Sequence, residues 1–112
     1  MLARGQRLRR RSDIARVYAQ GRTARQGSLS LKYLSRGRDR SRVVVVVGTK
    51  VSKRAVVRNR LRRRLLAQLR ELLPKLAGGY DIVISIHEDI SQLAPAHSQA
   101  QLERLLHQAR LL

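Results

Sequence analysis

The sequence predicts one α+β domain, a single sheet with helices packed as an α/β sandwich. Three observations predict it. Two runs, RVVVVVG (residues 42–48) and YDIVISI (Tyr80–Ile86), are dense in the β-branched residues that favour strands. Between them lies an arginine-rich segment whose leucines recur at helical spacing, and a second leucine-rich segment of that spacing closes the chain. At 112 residues and 43% hydrophobic content, the chain can bury one modest core. With no Phe or Trp and three Tyr, that core must be built from Val, Leu, Ile and Ala.

Taken in order, Ser12 is placed to cap a short helix over 13–20, with Ile14, Val17 and Tyr18 at i, i+3, i+4 and Gly21 ending it. Residues 22–26 have room for a further short strand. SLSLKYL (28–34) alternates as a half-buried strand does, with Leu29, Leu31 and Tyr33 on one face. SRGRDRS (35–41) is a polar turn. The valine run reads as a central strand covered on both faces. A helix is expected over 53–73, stopped near Pro74 and Gly78-Gly79. After the strand at Tyr80–Ile86, Pro95 argues against an early helix, and 100–111 carries Leu102, Leu105, Leu106 and Ala109 at helical spacing. The order is αββαβα, or αβββαβα if 22–26 pairs. Residues 1–112 form one domain with a basic N-terminal arm over about 1–11.

The net charge is +18, and it is unevenly spread: residues 1–70 carry +20 and residues 71–112 carry −2. A folded domain of that charge repels itself unless a polyanion neutralises it, and nucleic acid is the natural partner. An anionic membrane surface is the weaker alternative. No run approaches the roughly 18 apolar residues of a membrane span. The N-terminus lacks the apolar core of a secretory signal, although its Arg-rich, acid-poor composition also suits a mitochondrial presequence. A soluble, cytoplasmic protein is expected. With no cysteine, disulfides and thiolate metal sites are excluded.

The stretch RAVVRNRLRRRLL (54–66) poses a puzzle. With Val57 at zero on a helical wheel, Leu61, Leu65 and Leu69 fall at roughly 40°, 80° and 120°. Arg60, Arg63, Arg64 and Arg70 lie outside that arc, as a solvated face would. Arg58 and Arg62 fall inside or beside it, at roughly 100° and 140°, with Arg54 one turn earlier. Either the early turns overhang the sheet and these arginines reach past it into water, or the positive helix N-terminus is a phosphate-docking surface. Eight of the fifteen residues from Lys50 to Arg64 are basic and none is acidic, which favours the second reading.

Catalytic signatures are missing. His87, His97 and His107 are scattered, no glycine-rich phosphate loop has the required spacing, and no carboxylate pair or Ser/His/Asp set stands out. The chain reads as a binder and not a catalyst. Tyr18 and Tyr33 are the candidate stacking platforms for unpaired bases, although tyrosines at such spacing commonly serve a core.

At RAVVRNRLRRRL the sequence resembles the protein subunit of bacterial ribonuclease P. The matching residues are Lys50, Lys53, Arg54, Arg58, Asn59, Arg60, Arg62 and Arg63. RRSDIARVYAQGR resembles the family's first helix, RVVVVVGTKVSKRA its strand and basic loop, and GGYDIVISI with the Leu-rich end its last strand and helix. The resemblance implies the order αβββαβα, a mostly antiparallel four-stranded sheet and a left-handed crossover through the basic helix. It also implies that the residues from Lys50 to Arg63 named above bind the catalytic RNA, and that the 5′ leader of precursor tRNA lies against Ile14, Tyr18, Lys32 and Tyr33. Ile14 stands where the family usually has an aromatic, and Thr49 where a lysine is common. The implied function is assistance to an RNA enzyme that cleaves endonucleolytically and leaves the mature tRNA 5′ end. Mg²⁺ would be held through the RNA subunit, with no cofactor on the protein alone, no membrane and no protein partner required. A structural ribosomal-RNA-binding protein is the alternative. A DNA-compacting protein is a third reading, for which the chain lacks a recognition motif.

Overall fold

The computed structural model describes residues 4–37 and 40–112. After a 3₁₀ turn (Arg4–Gln6) come α1 (Arg11–Gln20), β1 (Arg22–Gln26), β2 (Leu29–Ser35), β3 (Arg42–Val47) and α2 (Ala55–Leu72). A second 3₁₀ turn (Leu73–Lys75), β4 (Tyr80–Ile86) and α3 (Pro95–Gln108) complete it. The four strands form one sheet in the order β1-β2-β4-β3, with β1 and β4 antiparallel to β2, and β3 parallel to β4. Gly27 makes the tight β1–β2 turn possible: its φ of 58°, followed by Ser28, is what a two-residue hairpin demands of glycine.

Strand alternation divides the apolar residues between two faces. Leu29 and Leu31 of β2, Val43, Val45 and Val47 of β3, and Ile82, Ile84 and Ile86 of β4 form one face. It packs on Leu61, Leu65 and Leu69 of α2 and Leu102, Leu105 and Leu106 of α3, all essentially without solvent exposure. The other face is thinner. There Val83 packs with Val17 of α1 and with Leu8, flanked by half-buried Ile14, Leu34, Val44 and Val46.

Several expectations change. The valine run is not a central strand but the sheet edge, which leaves Val44 and Val46 half-buried; β4, bordered by β2 and β3, is the strand covered on both sides. Such a run reads the same in both places because its edge side is partly covered. Residues 7 and 8 do this, as Arg7 bridges Val43 in parallel and the Leu8 amide donates to the Val43 carbonyl at 2.9 Å. Ser12 caps nothing: α1 begins at Arg11, behind Arg10. Pro95 does not delay α3 but opens it, since the missing N–H of a first-turn proline would have had no helical partner. The polar turn expected over 35–41 includes residues 38 and 39, outside those described.

Gly21 follows α1 with an extended backbone, so left-handed freedom is not its purpose. Space is. A Cβ there would lie 2.5 Å from the Val17 carbonyl oxygen and 3.0 Å from that of Tyr33. At the end of α3, the Leu111 amide donates to Leu106 O and the Arg110 amide to His107 O, the paired bonds of a Schellman ending. The residue in the left-handed position is Arg110, at φ 59°, where glycine is usual.

One acid organises the far end of the sheet. Buried Asp81 accepts from Arg36 Nε at 2.9 Å and from Arg42 Nε and Nη2 at 2.8 and 2.7 Å. Arg42 Nη2 also reaches Asp13 of α1 at 3.4 Å, tying that helix to the sheet. Its hydrogen bond to Asp81, more than any other influence, raises the Arg42 pKa above the ordinary guanidinium value.

Candidate nucleic-acid interface

The basic surface starts where β3 ends. Gly48 closes a turn with the Val51 amide, and Val51 is half-buried against the main core, so the loop is anchored between exposed Lys50 and exposed Lys53. Ser52 is the knot of this loop. Its hydroxyl accepts from the Arg54 amide at 3.2 Å and its carbonyl accepts from Arg58 Nη1 at 2.9 Å. Helix α2 then begins with no side-chain cap and no acid in its first turn, so its unpaired N–H groups and positive dipole end face outward beside the loop.

The geometry resolves the helical-wheel puzzle. Arg58 lies near the leucine arc because it folds back to the loop carbonyl, half-buried. Arg62 is half-buried too and donates to Asn59 Oδ1, which fixes both side chains on one flank. Arg54, Arg60 and Arg63 are exposed. Arg64 belongs elsewhere: it donates to the carbonyls of Ile90 and Leu93 and holds the segment that leads into α3. The eight basic-site residues from Lys50 to Arg63 therefore follow one another along the loop and the first turns of α2, six of them exposed.

Across the sheet, α1 packs on β2 and β4, and toward the basic loop Ser30, Val46 and Ser85 on that face stay half-buried. Tyr18 is exposed on α1, and Lys32 of β2 lies below it. Lys32 Nζ donates to the Tyr18 carbonyl at 3.0 Å and sits 5.7 Å from its ring centroid. Ile14 is half-buried in the small cluster beneath the helix. Tyr33 points the other way. Strand parity puts it on the α2–α3 face, where its ring stands 6.0 Å from that of Tyr80. Three of the four expected leader residues thus share the α1 face, and Tyr33 is removed from it by the one-residue alternation of β2. Past Lys32 this strip carries Ser30, Val46, Ser85 and His87, with Ser30 Oγ and His87 Nε2 sharing a 2.6 Å hydrogen bond. Among the described residues no three His, Asp or Glu side chains converge as a metal site, and no helix is long and apolar enough to cross a membrane.

The sequence model of the Ribonuclease P family matches residues 2–110. The chain belongs to the ribonuclease P protein family. It is 41% identical to the ribonuclease P protein component of a Pseudanabaena species, spanning 100% of this chain and 97% of that one. To the component of a Cyanothece species it is 36% identical over 100% and 98%. The fold is also that of the Thermotoga maritima ribonuclease P protein, with TM-score 0.82 at 25% identity over 91% of this chain and 96% of the other. As in other members of this family, the role lies in tRNA 5′ maturation, as part of an endoribonuclease. For this ribonuclease P protein, the sequence reading placed Arg7 and Arg9 only in a basic N-terminal arm; the structure stands them beside Arg62 and Arg63. The alternation Arg-Leu-Arg around Leu8, which the structure buries, signalled that they share one side.

Proposed function

We propose that this chain is the protein subunit that binds the catalytic RNA of ribonuclease P and the 5′ leader of precursor tRNA. In that role it assists removal of the leader in the cytoplasm. The observation that carries the reading is the acid-free surface of Lys50, Lys53, Arg54, Arg58, Asn59, Arg60, Arg62 and Arg63 around an uncapped helix start, in a chain of this family. Guanidinium groups and open N–H groups suit RNA phosphates. Ile14, Tyr18 and Lys32 would hold the leader, with Tyr18 offering a ring to an unpaired base and Lys32 a charge to the adjoining phosphate. A left-handed β3–α2–β4 crossover, carried by the family resemblance, would set the basic helix beside this cleft.

The chemistry would belong to the RNA. The cations of this chain would screen phosphates that crowd together at the cleavage site and so favour Mg²⁺ held by RNA oxygens. Reconstitution with the catalytic RNA and labelled precursor tRNA at low Mg²⁺ tests the reading. Site-specific cleavage should require both macromolecules. Preferential binding to ribosomal RNA, with no gain in cleavage, would transfer the chain to the ribosomal alternative.

A further inference from the structure

A groove of about 360 Å³ runs between residues 7–9, the β3 edge and α2, within the size range of small-molecule sites, about 300–1,000 Å³. Its floor is apolar, formed by Val44, Val45 and Leu66, and its rim carries Arg7 and Arg9 on one side with Arg62 and Arg63 on the other. No acid lines it. The rim is built and not merely crowded. The Arg7–Val43 bridge and buried Leu8 pin one side, and the Asn59 contact fixes Arg62 on the other.

We infer that this groove receives an unpaired nucleotide of the catalytic RNA, its base on the apolar floor and the flanking phosphates on the four arginines. The inference rests on the RNA-binding reading above and extends it to a place and a ligand class. Four guanidinium groups facing one another across a few residues repel unless an anion lies between them. A helical phosphate backbone alone would leave the apolar floor unused and covered by water. An unpaired nucleotide satisfies both requirements, since guanidinium planes stack on bases as well as bind phosphates, in a chain with no Phe or Trp to do so. The groove is continuous with the basic surface through Arg62 and Arg63, so one RNA can occupy both.

The absence of cysteine allows a single probe to be placed. Leu66→Cys carrying an aryl azide reports the groove, and Arg60→Cys carrying the same group reports the helix surface; both are mixed with the catalytic RNA transcript and irradiated. The expected result is a discrete crosslink from position 66 to an unpaired nucleotide, lost when Arg7→Ala and Arg9→Ala are added. Crosslinks from 66 that scatter, fall in paired helices or join two protein copies, or their absence while position 60 crosslinks, would overturn the inference and leave the RNA-binding reading standing. Silence from both positions, with no RNA bound, would overturn both. Salt titration supplies a second readout. Arg7→Ala with Arg9→Ala should lower the slope of log affinity against log salt by about 1.4–1.8, the share of two phosphates. Leu66→Ala should weaken binding severalfold with the slope unchanged. An unaltered slope in the double variant would remove Arg7 and Arg9 from the interface.

Discussion

Arg58 and Arg60 flank one asparagine but differ in what holds them. Arg60 is exposed, so Arg60→Ala should weaken RNA binding while leaving the melting temperature unchanged. Arg58 also ties α2 to the Ser52 carbonyl, so Arg58→Ala should lower both affinity and stability, the latter by about 1 kcal/mol. Parallel filter-binding and thermal melts would separate them, and equal effects on stability would contradict the assignment. Tyr18→Ala should spare assembly with the catalytic RNA and weaken only precursor tRNA that carries a leader, by roughly 1–3 kcal/mol. Equal loss for mature tRNA would refute a leader role. Asp81→Asn should destabilise by about 1–3 kcal/mol, because Arg36 and Arg42 lose the carboxylate that neutralises them, a loss visible as a lower urea midpoint.

Among the elements, the two ends that break the usual glycine rule are the informative ones. Arg110 holds a left-handed conformation that costs a side chain about 1–2 kcal/mol, against the 0.5–1 kcal/mol of chain entropy glycine gives up. Arg110→Gly should therefore stabilise by roughly 0.5–1 kcal/mol, seen as a higher melting temperature. Gly21→Ala should do the reverse, since the new methyl meets two backbone carbonyls that cannot step aside. Strand and helix identity was legible because Val, Ile and Leu spacing reports burial directly. β4 matches its expected range, and β1, raised only as possible, forms through the Gly27 turn. What spacing does not report is neighbourhood. Nothing in five valines distinguishes an edge strand from a central one, and nothing in Pro95 separates helix start from helix breaker until the donors to its carbonyl, Gln68 and Ser98, are in place. The candidate basic surface was legible from composition, but Tyr33 and Lys32 depended on strand parity, and Arg58 on a loop carbonyl that no helical wheel contains.

At the scale of the whole molecule, charge decides behaviour. If α2 and its loop neutralise about five phosphates, log affinity should fall against log salt with a slope of roughly −3.5 to −4.5. A slope near zero would mean that the +18 charge is not what binds. The basic loop at one end of β3 and the half-buried strip of the α1 face adjoin each other, so both proposed RNA contacts fall on one side of a body whose longest extent is 38 Å.

The bridge from Arg7 and Leu8 to Val43 also guards the chain against itself. Five consecutive valines on a sheet edge, with their backbone groups free, would be a template for pairing with identical edges in other molecules. Residues 7 and 8 occupy the start of that edge, and the arginines around the rest repel any second copy. Shortening the protein by its first nine residues, or neutralising that rim, should then appear as concentration-dependent light scattering before any loss of helix content. Residues 7 and 8 and the arginines around that edge, groups proposed to meet RNA, would then also hold copies of the chain apart.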